Sequence, residues 1–336
     1  MKKFNVAVLG VTGAVGQEFL TILKQRKFPL ARLKLLASGR SAGKKVSFDG
    51  AEYTIEEAGP ASFQNIDLVL SSAGGSVSRE LVPCAIKAGA LVVDNTSAFR
   101  VDPEVPLVIP EINPEDIFKH KGVIANPNCS TIIMLVPLFP IHRLAHIRRI
   151  VAATYQSASG AGAKAMQELE KQTHEILAGR PPVKEVFPHQ IAFNLFSHNS
   201  KVMEDGFCEE EVKMIRETKK IFHDDTLQVV PTTIRVPVFR AHSEALYVEV
   251  EKQVSLDQVR SVLDGAPGVR LVDDRQKNYF PMPIEASHGD DILVGRLRRD
   301  PANSKGWALF VSGDQLRKGA ALNAVQIAEI WARKPS

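Results

Sequence analysis

A glycine-spaced turn near the N-terminus restricts the fold more than any other part of the sequence. Phe4–Leu9 is an apolar, strand-like segment, and glycines follow at positions 10, 13 and 16 before an amphipathic stretch that extends to Lys24. Glycines at this spacing let the backbone approach a pyrophosphate group that sits on the N-terminus of the following helix. The order of strand, glycine turn and helix therefore predicts a Rossmann-like, dinucleotide-binding domain. A plain turn is the alternative.

The end of the second predicted strand bears on which dinucleotide binds. Rossmann domains that bind NAD usually carry an acidic residue there, roughly 20 residues past the glycines, to hold the ribose 2′-hydroxyl. Here the strand Leu33–Ala37 is followed by Ser38, Arg40 and Ser41, with no carboxylate to repel a 2′-phosphate. Hydroxyl and guanidinium groups bind phosphate. The sequence therefore favours NADP, whereas a solvated basic loop would leave the choice open.

One cysteine stands in a setting that favours a nucleophile. The polar turn Asn126–Asn128 leads to Cys129, and the apolar run that continues to Phe139 predicts a buried helix. The unpaired amides at the start of a helix favour a thiolate over a thiol. A buried, inert cysteine is the alternative, since free cysteine is among the most buried residue types. The polar approach and the helix-start position favour the reactive interpretation.

Composition sets limits and excludes several classes of protein. The 336 residues are enough for two domains, and the formal net charge of +4 is well mixed. Basic clusters without interleaved aromatic residues do not indicate a nucleic-acid site. Three cysteines exclude a disulfide scaffold and suit a reducing compartment. We expect no metal, because neither Cys-x-x-Cys nor His-Glu-x-x-His occurs. With no signal peptide and no segment able to cross a bilayer, we expect a cytoplasmic protein.

The pattern of predicted strands and helices changes at Cys129. Before it, short strands alternate with helical stretches and include a predicted strand at Leu107–Ile109, which is typical of a parallel sheet with helices on both faces. After it, long β-branched segments predict a mixed, largely antiparallel sheet of an α+β domain. We expect a nucleotide-binding domain over residues 1–128, completed by a helix at 316–336, and a catalytic and dimerisation domain over 129–315.

A cysteine nucleophile needs a base, and His242 is the strongest candidate among nine histidines. It follows a rigid apolar segment that has Arg235 and Arg240 at its ends. Like charge from arginines pushes the pKa of an imidazole down, towards the neutral form that a base requires. A structural histidine is an equal alternative on the sequence alone.

Four separated motifs resemble the aspartate-semialdehyde dehydrogenases of the bacterial NADP-dependent type, in order and in spacing. The motifs are Asn126–Thr131, Thr154–Gln156 with Ser159–Gly162, Arg235–Val238 with His242–Glu244, and Leu316–Ala324. The resemblance covers essentially the whole length. Arg240-Ala241 and Gln315 depart from the residues expected in relatives, which affects the fine contacts of base and cofactor.

The resemblance implies roles for individual residues. Cys129 would be the acyl-accepting nucleophile, His242 the acid/base catalyst and Gln156 the residue that orients substrate and thioester. The implied substrate residues are Arg235 for the α-carboxylate, Arg100 and Lys213 for the phosphate, Glu210 for the amino group, and Asn128, Ser159 and Gly160. The implied NADP residues are Gly10, Thr12, Gly13, Ala14, Val15, Gly16, Ser38, Arg40, Ser41, Ser72, Ala73, Gly74, Asn95, Gly162, Gln315 and Asn323.

The implied reaction is the reversible reductive dephosphorylation of L-aspartyl 4-phosphate to L-aspartate 4-semialdehyde, in lysine, threonine and methionine biosynthesis, by a homodimer. The nearest alternative is N-acetyl-γ-glutamyl-phosphate reductase, in which we expect a glycine and an aromatic residue where this chain has Asn128 and Ser130-Thr131. A catalytically silent, NADP-binding paralogue is a second alternative. Such a protein would have no reason to keep Cys129, Gln156, Arg235 and His242 together.

Overall fold

The computed structural model describes residues 2–197 and 200–333. The chain divides into two compact units, Met1–Asn128 with Ala320–Ser336 and Cys129–Gly319. The first unit is built on a parallel sheet and the second on a mixed sheet. The predicted fold class, a Rossmann-like domain followed by an α+β domain, is confirmed.

Among the described residues, the first unit contains eight strands and three α-helices. The strands are β1 (Phe4–Leu9), β2 (Leu30–Ala37), β3 (Lys45–Phe48), β4 (Ala51–Thr54), β5 (Glu56–Glu57), β6 (Leu68–Ser71), β7 (Leu91–Asp94) and β8 (Val123–Ala125). The helices are α1 (Ala14–Gln25), α2 (Gly75–Lys87) and, near the C-terminus, α8 (Leu322–Ala332). Six strands form one sheet in the order β5-β2-β1-β6-β7-β8, while β3 and β4 pair as a hairpin.

Near-continuous apolar strands account for the parallel sheet. Val6 and Val8 on β1 are completely buried, as expected for a strand with helices on both faces. Phe19 and Ile22 on α1 are also completely buried and belong to the same core. Arg26 and Glu329 join α1 to α8 through a bidentate ion pair at 2.7 Å.

The predicted strand at Leu107–Ile109 was wrong: only Leu107 makes an isolated bridge, to Ala125. The side chain of Asn113 replaces the missing strand partner. Its Nδ2 donates to the Leu107 carbonyl at 2.9 Å, and its Oδ1 accepts from the Ile109 N–H at 3.0 Å. An apolar run therefore satisfies its backbone through a nearby amide, a competition with strand pairing that apolar residues alone do not reveal.

In the part of the chain that the structure describes, the second unit contains seven strands and five α-helices. The strands are β9 (Ile147–Gln156), β10 (Phe196–Ser197), β11 (Gln228–Arg235), β12 (His242–Val250), β13 (Val269–Leu271), β14 (Ile292–Arg299) and β15 (Gly306–Gly313). The helices are α3 (Cys129–Ala145), α4 (Ala163–Leu177), α5 (Glu209–Phe222), α6 (Leu256–Leu263) and α7 (Pro283–Ala286). A π-helical turn, Arg317–Ala321, follows β15 and leads into α8.

The seven strands of the second unit form one sheet, in the order β10-β11-β9-β12-β15-β14-β13. The β11–β9 and β13–β14 pairs are parallel, and the other pairs are antiparallel. Burial alternates along β12, so one face of the sheet is buried and the other partly exposed. Within the described residues, no helix has both the length and the apolar character needed to cross a bilayer.

Candidate active site

The glycine turn after β1 can exist only without side chains at two of its positions. Gly10 has a φ of +88°, and a Cβ atom there would lie 2.6 Å from the Ser72 carbonyl oxygen. A Cβ on Gly16 would overlap the Gly10 carbonyl group, so α1 could not begin so close to β1. Gly10 therefore supplies the left-handed turn and Gly16 the close approach of helix and strand.

Two neighbouring helices present open N-termini at the same edge of the parallel sheet. α1 follows β1, α2 follows β6, and these strands are adjacent. Among the described residues, no side chain caps α1 at Gly13 or α2 at Gly74, which has a φ of +93°. Uncapped helix amides attract anions such as a pyrophosphate. The predicted residues Thr12, Ala14 and Val15 lie at the first of these N-termini, and Ser72 and Ala73 precede the second.

Asn95 adds a polar atom at the end of β7, the next strand of the sheet. Its buried Oδ1 meets no hydrogen-bond partner within the described residues, and its main-chain N–H donates to the Ser71 carbonyl at 2.9 Å. A buried amide oxygen without a partner is costly unless a ligand or water donates to it. The glycine turn, the two helix N-termini and Asn95 therefore fit a dinucleotide.

The predicted 2′-phosphate loop follows β2. The Ser41 N–H donates to the Ser38 carbonyl at 2.8 Å, which closes a turn around Arg40. The loop itself contains no carboxylate, as predicted, but β5 pairs with β2 and places Glu57 against it. A Cβ atom on Gly39 would lie 2.6 Å from Glu57 Oε1. Glu57 is a negative group against Gly39, the residue before Arg40, that the sequence interpretation missed.

Arg100 is a buried guanidinium that holds two strand ends of the first unit. Its Nε donates to the Asn126 carbonyl at 2.8 Å, and its Nη2 donates to the Asn95 carbonyl at 2.8 Å. Asn323, on α8, donates its Nδ2 to Asn126 Oδ1 at 2.7 Å and to the Val108 carbonyl at 2.9 Å. Both side chains therefore fix the turn that precedes Asn128 and Cys129, whatever ligand they also bind.

Cys129 is the first residue of α3, as the sequence predicted. Its side chain is partly buried, whereas the α3 residues that follow, from Ser130 to Leu138, are all buried. A Cβ atom on Gly319 would lie 3.1 Å from the Cβ of Cys129, so a glycine is needed where the π-helical turn passes the cysteine. Cys84 and Cys208 have different surroundings: Cys84 Sγ contacts the Glu80 carbonyl, and Cys208 Sγ lies 3.3 Å from Thr233 Oγ1.

Gln156 lies at the end of β9 and is directed towards the first turn of α3. Its Nε2 donates to Ser130 Oγ at 2.9 Å, one residue from Cys129. The buried amide is thereby held in a fixed orientation, which is what an orienting residue beside a nucleophile needs.

A charged cluster in the same unit contains Arg235, Glu210 and Lys213. Burial lowers the pKa of the Arg235 guanidinium, and the charges of Cys129 and Glu210 oppose that shift, so both groups are near it. Arg235 Nη1 donates to the Ser157 carbonyl at 2.5 Å, and Glu210 pairs with Lys213 at 3.2 Å on the first turns of α5. The structure thus places a cation beside the cysteine and a carboxylate beside that cation.

His242 begins β12 and is completely buried. The Ser157 N–H donates to His242 Nδ1 at 3.0 Å. The opposite ring edge faces Gly160: a Cβ atom there would lie 3.0 Å from His242 Nε2 and 3.2 Å from Arg235 Nη1. Gly160 therefore packs directly against His242 and Arg235, and a side chain at this position would collide with both.

The second arginine near His242 does not act as a bare positive charge. Arg240 Nε pairs with the buried Asp314 at 2.6 Å. The prediction that both arginines repel charge on the imidazole was therefore wrong for Arg240, because a carboxylate distant in sequence neutralises it. Arg235 remains as the cation near the ring.

Gln315 and Ser159 lie close to His242 in the chain's second unit, and the Gly162 N–H donates to the Ser159 carbonyl at 2.9 Å. Gln315 Oε1 accepts the Ala241 N–H at 2.9 Å, and its Nε2 donates to Ser159 Oγ. Gly162, with a φ of +96°, starts α4 without a side-chain cap from any described residue. The amide of Gln315 thus supports the chain next to His242, a contact that the predicted cofactor role did not include.

A histidine pair with metal-ligand spacing was overlooked in the sequence. His142 and His146 are four residues apart, and their ring centroids are 4.7 Å apart. His142 Nδ1 accepts the Ile147 N–H at 3.2 Å, and burial lowers the pKa of His142. Their contacts support a structural role at the end of α3.

Ser157 and Gly319 are the site residues that sequence reasoning missed. Ser157 follows Gln156 directly, so the adjacency of the two polar residues at a strand end was an available signal. Gly319 lies within the Leu316–Ala324 motif, but its contact with Cys129 depends on tertiary structure and leaves no local signal.

Both units match known domain families. Residues 5–120 match the semialdehyde dehydrogenase NAD binding domain, and residues 138–318 match the semialdehyde dehydrogenase dimerisation domain. The dinucleotide-type glycine turn and the cysteine site agree with these matches. The fold and the site together define a semialdehyde dehydrogenase.

The particular family follows from full-length relatives. The chain is 55% identical to aspartate-semialdehyde dehydrogenase of Synechocystis sp. over 98% of both chains. It is 50% identical to that of Aquifex aeolicus, again over 98% of both. The crystal structure of aspartate semialdehyde dehydrogenase II from Vibrio cholerae superposes with a TM-score of 0.97 at 44% identity over the whole of both chains. This chain belongs to the aspartate-semialdehyde dehydrogenase family.

Proposed function

We propose that the protein catalyses the NADP-dependent, reversible reductive dephosphorylation of L-aspartyl 4-phosphate to L-aspartate 4-semialdehyde, in the aspartate-family amino acid pathway. The observation that carries the proposal is the grouping of Cys129, Arg235 and Glu210 in the second unit, with His242 beside Arg235. The Vibrio cholerae relative, 44% identical, has been solved complexed with ASA. A substrate with a carboxylate and an amino group matches a buried guanidinium beside a carboxylate.

Each proposed catalytic or substrate-binding residue of the second unit has a separate role in the reaction. The Cys129 thiolate attacks the acyl phosphate carbon, and phosphate leaves the tetrahedral intermediate to give a thioester. Gln156 orients the acyl group, and Arg235 binds the α-carboxylate while Glu210 receives the amino group. His242 moves the proton between the reacting atoms and its Nε2. Collapse of the thiohemiacetal releases the semialdehyde and restores the thiolate.

The nicotinamide cofactor would supply the hydride that reduces the thioester when it is bound. The first unit would hold it through Gly10, Gly13 and Gly16, with Ser72 and Asn95 nearby. The fit is supported by the uncapped N-termini of α1 and α2. Ser38 and Arg40 favour NADP, whereas the Glu57 carboxylate against Gly39 opposes a 2′-phosphate. The remaining predicted cofactor and substrate contacts, Asn128, Ser159, Gly160, Gly162, Gln315, Asn323, Lys213 and Arg100, stay predictions.

We also propose a homodimer and a cytoplasmic location. The partly exposed face of the second unit's sheet carries Val151, Tyr155, Ala245 and Phe310, and the rings of Tyr155 and Phe310 are 6.3 Å apart. An apolar, partly exposed sheet face of this kind is typical of a subunit interface. A reducing compartment keeps a working cysteine from being oxidised to a disulfide.

NADPH formation in three parallel assays tests the proposed reaction. The purified protein receives phosphate and NADP with aspartate semialdehyde, with the N-acetylglutamate analogue, or with neither aldehyde. We expect turnover only with aspartate semialdehyde. Turnover only with the acetylated analogue would identify the protein as an N-acetyl-γ-glutamyl-phosphate reductase. Turnover with neither aldehyde would favour a catalytically silent, NADP-binding paralogue.

Two variants test the nucleophile. Cys129→Ala should bind NADP but show no measurable turnover, because no other group can form the thioester. Cys84→Ala, which removes a cysteine from α2, is the matched control and should keep its activity. More than a few per cent of residual activity in Cys129→Ala would contradict the assignment.

A further inference from the structure

His242 is held by one serine through both its main chain and its side chain. The Ser157 N–H donates to Nδ1 at 3.0 Å, and Ser157 Oγ lies 3.0 Å from the same nitrogen. An amide N–H can only donate, so it favours the neutral tautomer that carries its proton on Nε2. A hydroxyl can either donate or accept, so it can also accommodate a protonated Nδ1.

Proton exchange at Nε2 requires that second state. Nε2 lies on the ring edge that faces Gly160 and Arg235. To accept a proton at Nε2, the neutral ring must carry its own proton on Nδ1, and the resulting imidazolium carries protons on both nitrogens. In both states the Nδ1–H needs an acceptor. Ser157 Oγ can provide it once its own hydrogen turns away from the ring.

Two buried side chains can accept a hydrogen bond from the Ser157 hydroxyl. Ser159 Oγ lies 3.0 Å and Gln315 Oε1 3.5 Å from Ser157 Oγ. The orientation of the Gln315 amide is fixed, because its Oε1 accepts the Ala241 N–H at 2.9 Å and its Nε2 donates to Ser159 Oγ. Ser157 therefore has an acceptor whichever way its hydroxyl turns, which is the requirement for a two-state rotor in a buried network.

The charged and titratable groups near His242 do not determine which ring nitrogen carries the proton. Arg235 faces the ring from β11, while Arg240, next to Ala241, is neutralised by Asp314. Glu244 lies two residues along the same face of β12 and is completely buried. Burial raises the pKa of Glu244 well above its ordinary value, which favours the neutral carboxyl. The hydrogen bonds at Nδ1 therefore set the tautomer, and Arg235 acts on the total charge of the ring.

We propose that the Ser157 hydroxyl, supported by Ser159 and Gln315, is a positioning residue that lets His242 alternate between the Nε2–H tautomer and the Nδ1-protonated states used in catalysis. This inference rests on the acid/base role proposed above for His242. The resting ring holds its proton on Nε2. Rotation of the serine hydroxyl stabilises the Nδ1–H when a proton arrives at Nε2 or leaves it.

Long-range ¹H–¹⁵N NMR of protein labelled with ¹⁵N-histidine tests the tautomer directly, without turnover. In the wild type, we expect the neutral ring of His242 to be protonated on Nε2, and both nitrogens to be protonated at low pH. Ser157→Ala keeps the main-chain donor but removes the acceptor. We expect its titration midpoint to move down by about one pH unit. Its kcat should fall at least about tenfold, with the acidic limb of the pH profile moving in the same direction.

Ser243→Ala is the matched control. It removes a buried hydroxyl one residue from His242, which is bonded to Ser312 Oγ at 2.7 Å. We expect its histidine titration and its kcat to match the wild type. A wild-type neutral ring protonated on Nδ1, or a Ser157→Ala protein with unchanged titration and kcat, would overturn the proposal. If Ser157→Ala does not fold, the neutral His242 ring of the wild type still tests the proposal, because a proton on Nδ1 would overturn it. Failure of the assays above would reject the proposed function and with it the catalytic use of the two states, whereas an unchanged histidine titration in Ser157→Ala would reject the role of the serine alone.

Discussion

Gly319 lies against Cys129 so closely that a Cβ atom added at residue 319 would stand 3.1 Å from the cysteine Cβ and 3.4 Å from its Cα. The same atom would lie 3.3 Å from the Cβ of Gln315. All three neighbouring atoms belong to backbone or to the first side-chain carbon, so they cannot rotate away. The position of Cys129, the proposed nucleophile, is therefore coupled to the absence of a side chain in the π-helical turn.

Gly319→Ala should move Cys129 and lower kcat/KM at least about tenfold, because small displacements of a nucleophile cost much of its rate. Overpacking should also lower the free energy of unfolding by about 1–3 kcal/mol. The alkylation rate of Cys129 and urea denaturation measure the two effects. Gly59→Ala is the control, since a Cβ there meets no atom within 4 Å. Equal behaviour of the two variants would contradict the coupling.

Arg40→Ala should weaken NADPH binding far more than NADH binding, by roughly 1.5–3 kcal/mol for a lost charged hydrogen bond. Glu57→Gln should have the opposite effect and favour NADPH, because it removes a negative charge beside the predicted 2′-phosphate. Dissociation constants for both nucleotides measure the change. Lys45→Ala is the control, since Lys45 is already paired with Glu52 at 2.8 Å. An equal loss for both nucleotides in Arg40→Ala would make Arg40 a structural residue.

Ala241→Gly should stabilise the protein. Ala241 has a φ of +70°, which costs a residue with a Cβ atom roughly 1–2 kcal/mol. The greater backbone freedom of glycine in the unfolded state removes about 0.5–1 kcal/mol of that gain. We therefore expect a small net increase in the urea midpoint. Ala245→Gly, in the regular part of β12, should instead lower the midpoint, and a similar loss in both variants would show that Ala241 is unstrained.

The sequence predicted the parts of the fold and the site that depend on local pattern. The glycines before α1 and the start of α3 at Cys129 both follow from residues that are neighbours in the chain. Prolines inside α3 did not end the helix, because the whole segment is buried and tertiary packing outweighs their local cost.

Contacts between distant residues could not be predicted in this way. Glu57 reaches the loop after β2 only because β5 pairs with that strand. Asp314 neutralises Arg240 from 74 residues away, and Gln315 contacts the main chain of Ala241 at the same separation. Each of these contacts changes the charge or support of a site residue without leaving a periodic signal in the sequence.

Glu244 should make the stability of the protein depend on pH. It lies on β12 opposite Thr154 and Val311, is completely buried, and its two carboxyl oxygens meet no hydrogen-bond partner within the described residues. Burial raises its pKa well above the ordinary value of 4.5, so the folded state holds this proton more tightly than the unfolded state. The stabilising contribution is complete below about pH 4.5 and is lost as the pH rises through the raised pKa.

Glu244→Gln removes this titration, so the variant should gain stability relative to the wild type as the pH rises above about 4.5. The gain should reach at most about 1.4 kcal/mol per pH unit until the native pKa is passed. Urea denaturation of both proteins between pH 5 and 8 measures the difference. Glu244→Met should show the same dependence of unfolding free energy on pH as Glu244→Gln, because it also lacks the titrating carboxyl group. Its unfolding free energy should differ from that of Glu244→Gln by a constant amount, because methionine packs differently. A difference in unfolding free energy that stays constant across this range would mean that the carboxyl group is not held neutral by the fold.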